Sequence, residues 1–244
     1  MRKLFLTILI LLFAYTAQAG WYYGADPCVD AGCTGTYEIC ANGEMPDSSY
    51  ACQDSGASNV DATDEDAGVI NASSPITGSY DYLLDADGEG VTWALTTPNT
   101  LHQAGTIECK VKTPSSFTAA EALFFGVGTA ASLTDNEIMT YTTGNNGRFY
   151  GRVEAGGTIE VINAYSTMTV STTHTVYYTW RANTSDKHCT KLDAGAWTCS
   201  TEALPDIATG IDLAFAGEPV GLGTTNAGTW QVDDCKVREG YEGD

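Results

Sequence analysis

Residues 105–112 read Gly-Thr-Ile-Glu-Cys-Lys-Val-Lys, GTIECKVK. Ile107, Cys109 and Val111 alternate with Glu108, Lys110 and Lys112. Side chains in a strand point alternately to its two faces, so this stretch predicts a β-strand with one apolar and one charged face. Comparable runs follow between Gly-rich turns: ALFFGVG (122–128), EIMTYTT (137–143), GRFYGRV (147–153), HTVYYTWRA (174–182), IDLAFAG (211–217) and TWQVDDCKV (229–237). Thr, Val, Tyr and Ile dominate them. Many short alternating strands with turn signals predict an all-β fold, two antiparallel sheets packed as a sandwich over residues 77–244.

The stretch CTKLDAGAWTC (189–199) sets a register. If Asp193 and Gly195 face each other across a turn at Ala194, Cys189 falls opposite Cys199. Opposed residues of an antiparallel pair lie close enough for a disulfide, so a Cys189–Cys199 bond is expected. Four cysteines, Cys28, Cys33, Cys40 and Cys52, crowd residues 20–56, and they allow three pairings. If those four pair among themselves, Cys109 and Cys235 are left to each other, tying an early strand to the last one.

The chain begins MRKLFLTILILLFAYTAQAG. A basic start, a short apolar run and the small-x-small Ala17-Gln18-Ala19 predict a signal peptide over 1–19 rather than a membrane span. The expected product is secreted or periplasmic, without membrane insertion, and its even cysteine count favours disulfides over metal thiolates. Removing Arg2 and Lys3 with the leader takes the formal charge from −20 to −22. A field of that sign repels nucleic acid and anionic membrane. Residues 20–56 read as a cysteine-rich, disulfide-stapled segment, a candidate arm for self-assembly. Residues 57–76 read as an irregular acidic linker.

The order of segments over roughly 78–241 resembles the laminin-G-like branch of the concanavalin-A-like lectin/glucanase superfamily. GTIECKVK resembles that family's early strand, CTKLDAGAWTC its turn hairpin, and WQVDDCKVREGY its closing strand. Lys110 and Thr173 stand where the family carries tryptophans. The resemblance implies a jelly-roll sandwich. It implies no particular ligand, because function resides in sites placed on a fold. It raises the expectation of calcium, since some members bind it at the rim of the sandwich.

Three kinds of site are readable. In GRFYGRV, Arg148, Tyr150 and Arg152 share one strand face, and in TVYYTWR, Tyr177, Thr179 and Arg181 share another. Tyrosine packs on sugar rings and arginine grips carboxylate or sulfate bidentately, so these residues predict binding of a polysaccharide or cell-surface glycan of acidic character. The plainer reading pairs the arginines with Glu154 or Glu160 across strands. Asp85, Asp87 and Glu89 in LDADGEG offer hard oxygen ligands for Ca²⁺, as do Asp61, Asp64 and Asp66, though no complete EF-hand loop is present. The adjacent Asp233 and Asp234 point to opposite faces unless a bulge intervenes, so they do not form the facing carboxylate pair a glycosidase needs. A structural role for both is expected. No Gly-x-Ser-x-Gly elbow or His-Glu-x-x-His motif occurs. The leading expectation is a non-catalytic carbohydrate-binding or adhesion module. A structural or assembly protein is the second reading and a polysaccharide-cleaving enzyme the third.

Overall fold

The computed structural model describes residues 39–41, 54–55, 63–64, 70–71, 74, 76, 81–84, 90–95, 99–117, 122–129, 136–142, 146–156, 158–161, 165–182, 187–200, 202–205, 207, 209–217 and 229–243. They contain seventeen strands: β1 (Ile39–Ala41), β2 (Asp54–Ser55), β3 (Thr63–Asp64), β4 (Ile70–Asn71), β5 (Asp81–Leu84), β6 (Gly90–Ala94), β7 (Ala104–Lys112), β8 (Ala122–Gly128) and β9 (Asn136–Thr142). After these come β10 (Arg148–Ala155), β11 (Thr158–Val161), β12 (Ser166–Thr167), β13 (Thr173–Arg181), β14 (Lys187–Leu192), β15 (Thr198–Ser200), β16 (Leu213–Gly217) and β17 (Trp230–Glu239). Among the described residues, no helix is long and apolar enough to cross a membrane.

Two antiparallel sheets result. Sheet A runs β15-β14-β13-β7-β17-β1-β2, with β5 also on β17 and β4 on β5. Sheet B runs β11-β10-β9-β8-β16-β6-β3, with β12 on β10. The inward faces carry the alternating apolar residues read from the sequence. Ile107, Cys109 and Val111 of β7, Val176, Tyr178 and Trp180 of β13, and Phe149 and Val153 of β10 share one core. The described parts of 39–71, read as a stapled segment and an irregular linker, add short strands to both sheets. Edge pairing satisfies backbone N–H and C=O groups and needs no apolar alternation, so the pattern did not announce it.

The closing strand contains a bulge. Asp233 pairs with Lys110 and Lys236 with Glu108, so Asp234 and Cys235 together oppose Cys109. Asp234 has φ 47°, the left-handed region that Asp tolerates better than most residues. The extra residue resets the alternation. Trp230 and Val232 point inward before it, and Cys235 and Val237 after it. Cys235 thereby reaches Cys109 on the core side, and the two form a disulfide. Cys189 and Cys199 face each other in register and are also bonded.

The sheets approach closely where glycine removes a side chain. Tyr178 crosses the sandwich from β13 and lays its ring on Gly151 of β10, where an added Cβ would overlap the ring. Tyr178 is fully buried. Overpacking of this kind costs about 1–3 kcal/mol. Gly151→Ala is therefore expected to lower the stability measured by denaturant unfolding by that much, and an unchanged midpoint would show that the interface yields.

Candidate functional site

The outward side of sheet A gathers cations. Alternation and register place Lys110 and Lys112 of β7, Arg181 of β13, Lys187 and Lys191 of β14, and Lys236 and Arg238 of β17 on it. These are seven of the chain's eleven Lys and Arg residues, in a protein of formal charge −20. Of the other four, Arg2 and Lys3 lie at the amino terminus and Arg148 and Arg152 on the opposite sheet. The carboxylates of the cationic face are held locally. Asp234 is ion-paired with Lys110, Glu108 lies 3.8 Å from Lys236, and Glu242 pairs with Arg238. Asp233 accepts the backbone N–H of Asp234 at 2.8 Å. Both aspartates are buried, so their role is structural, and the bulge allows Asp234 to reach Lys110.

Aromatic rings are interleaved with these cations. Lys191 Nζ lies 3.8 Å from the Tyr177 ring centroid and 4.7 Å from that of Trp197. Tyr177 and Trp197 meet edge to face, 6.2 Å apart. Arg181 and Lys187 lie 4.8 and 5.6 Å from the Tyr241 ring. Burial pulls the Lys191 ammonium below its ordinary value; Glu108 opposes this and Arg238 reinforces it. A surface combining partly exposed cations with ring faces suits a ligand that is itself a string of rings bearing anionic groups.

The five residues read as one glycan face are divided between two. Tyr177 and Arg181 belong to the outward side of sheet A. Arg148, Tyr150 and Arg152 point away from it, outward from sheet B, because β10 and β13 meet through their inward faces. On that second side Arg148 lies 4.0 Å from the Tyr165 ring, and Tyr150 packs between Tyr141 and Tyr165. Much of the surface around them is closed. Met139 and Phe215 are fully buried and Tyr141 nearly so. Arg152 is paired with Glu154 and lies 3.1 Å from Glu137, which takes it out of reach of an external anion. The plainer reading, pairing with a glutamate, describes Arg152, but Glu154 lies along the same strand and the partner across strands is Glu137 of β9. Asp85, Asp87 and Glu89 lie outside the described residues, as do Asp61, Cys28, Cys33, Cys52 and the side chains of Cys40 and Asp64.

One His–Asp pair is worth testing as catalytic machinery. His174 Nδ1 lies 2.8 Å from Asp193 Oδ2, an arrangement that orients a general base. Yet His174 Nε2, the atom that would take a proton, accepts the backbone N–H of Thr169 at 3.0 Å. Asp193 also accepts the Thr175 N–H at 2.8 Å. The pair closes the β14–β15 turn onto β13 and leaves no basic nitrogen available to a substrate.

Sequence reasoning named Tyr177 and Arg181 of the cationic face. It missed Lys110, Lys112, Lys187, Lys191, Lys236, Arg238, Trp197 and Tyr241 as members of one site. The alternation of charged residues in β7 and β17 was visible, but their adjacency depends on strand order.

No protein-family model matches the chain, and no curated protein sequence does. Solved structures do match in fold. The receptor-binding domain of botulinum neurotoxin type G superposes with a TM-score of 0.58 at 11% identity, covering 85% of this chain and 48% of that one. The binding domain of botulinum neurotoxin serotype D/C gives 0.61 at 9% identity, covering 85% and 49%. The receptor-binding domain of botulinum neurotoxin D gives 0.58 at 9%, covering 85% and 50%. This chain thus spans about half the length of each. At such identities the likeness is one of fold, a β-sandwich of the jelly-roll kind.

Proposed function

We propose that the chain is a secreted, non-catalytic binding module that takes an acidic glycan on the outward side of sheet A. The observation that carries this is the gathering of Lys112, Arg181, Lys187 and Lys191 among Tyr177, Trp197 and Tyr241 on one face of an otherwise acidic protein. Long-range repulsion from the rest of the surface makes such a patch costly for indiscriminate polyanion binding. It favours a ligand that pairs several anionic groups locally and packs its rings on aromatic faces. The structural neighbours, which are named as receptor-binding domains, support a binding role over a catalytic one.

The test compares dextran sulfate with uncharged dextran. Wild-type protein is expected to bind the first saturably and the second weakly. Lys112→Glu with Lys191→Glu should weaken binding about tenfold, since each partly exposed charge contributes roughly 0.5–1 kcal/mol. Arg148→Ala, on the other sheet, should leave it unchanged. Equal binding of both polymers, or indifference to the double reversal, would remove the sheet A reading. Running the titration with calcium and with chelator tests the Ca²⁺ expectation for Asp85, Asp87 and Glu89 in the same material.

A further inference from the structure

The chain leaves β17 at Glu239 and turns back across the cationic face. Gly240 makes the turn with φ 101°, a conformation that favours glycine. The next residues cross β7, β13 and β14 in order. Gly240 O accepts from Thr106 Oγ1 at 2.8 Å, Glu242 N–H donates to Thr179 Oγ1 at 3.0 Å, and Tyr241 Oη lies 3.1 Å from Cys189 Sγ. Gly243 O lies 3.6 Å from Cys199 Sγ. Thr106, Thr179 and Cys189 point outward, yet they are buried beneath this strap. What the strap presents to the face is an acid and a ring. The Glu242 carboxylate pairs with Arg238, and the Tyr241 ring lies against Arg181 and Lys187.

We propose that residues 240–243 are an internal ligand of the cationic face: they fill an anion subsite formed by Arg181, Lys187 and Arg238, and an acidic glycan binding there displaces them. This rests on the reading of that face as the glycan site. The chemistry is a like-for-like exchange, a ring and a carboxylate of the chain for a ring and a carboxylate or sulfate of the sugar. The strap lowers apparent affinity by the fraction of molecules in which it is closed. Little core is at stake, because the contacts it makes are backbone and side-chain polar bonds and ring–cation contacts on the outside of the sheet.

Two variants test this: Glu242→Gln, which keeps the strap but removes its charge, and a chain stopped after Glu239. Each is titrated with dextran sulfate beside wild type, with thermal melts to verify folding. Glu242→Gln should bind roughly threefold tighter and the shortened chain about tenfold or more, as one partly exposed ion pair and then the whole strap are removed. Acylation of Lys187 by an amine-reactive reagent, followed by mass spectrometry, should accelerate in the same order. Glu242→Gln and the Lys187 rate decide the matter if the shortened chain fails to fold. Equal affinity for all three proteins, or an unchanged Lys187 rate, overturns the strap while leaving the face as a glycan site. Absence of binding in all three, each folded, overturns the glycan reading and the displacement with it.

Discussion

Replacing Cys109 and Cys235 together with alanine is expected to cost the protein about 5 kcal/mol. The two residues are 126 apart in sequence, and chain-entropy estimates for a closed loop of that size approach this value. Both are fully buried, and the bond joins the two long strands at the centre of sheet A. For a chain of this size the melting temperature should fall by roughly 10–20 °C. The matching Cys189→Ala, Cys199→Ala variant opens a loop of separation 10 at the edge of the sheet and should lose nearer 3 kcal/mol. The order of the two losses is the informative result. A smaller loss for the central pair would mean that β17 is held against β7 by packing and hydrogen bonds alone. The bulge at Asp234 would then have no thermodynamic link to the bond it makes possible.

That bulge is written into the spacing of the sequence. In WQVDDCKV the apolar residues fall at 230 and 232 and then at 235 and 237, so the two-residue period slips by one across Asp233 and Asp234. A strand with both sets buried must insert one residue there. The alternation of β7, β10 and β13 and the register of the Cys189 hairpin were legible for the same reason: each depends on neighbours in sequence. The cationic face depends on something else. Its members come from positions 110 to 238 and meet because β14, β13, β7 and β17 lie side by side. No local pattern encodes that order, and β10 and β13, both rich in Tyr and Arg, looked alike although they belong to opposite sheets. Sheet assignment, not strand recognition, was the missing information.

Stability should fall as pH rises from about 4.5 to about 8, and Glu137→Gln should abolish most of that fall. Glu137 and Glu154 oppose each other on β9 and β10, with Arg152 beside both. Burial pushes the Glu137 carboxyl from 4.5 up to about 8; Arg152 works against this, and the neighbouring Glu154 adds to it. The folded protein therefore keeps a proton that the unfolded chain releases above pH 4.5. Wherever the folded state binds more protons, stability declines with rising pH, here by up to about 1.4 kcal/mol per unit until the folded group itself ionises. Below pH 4.5 the variant and wild type should melt alike. At pH 9 the variant should be the more stable by about 5 kcal/mol at most, because glutamine needs no charge and Glu154 still neutralises Arg152. The competing arrangement is an ionised Glu137 paired with Arg152 throughout. It predicts a different course: wild type gains stability only as pH rises towards 4.5 and stays level above it, and Glu137→Gln loses stability relative to wild type at neutral pH by stranding part of a buried guanidinium. Melting curves of the two proteins between pH 4 and pH 9 separate these cases by sign alone.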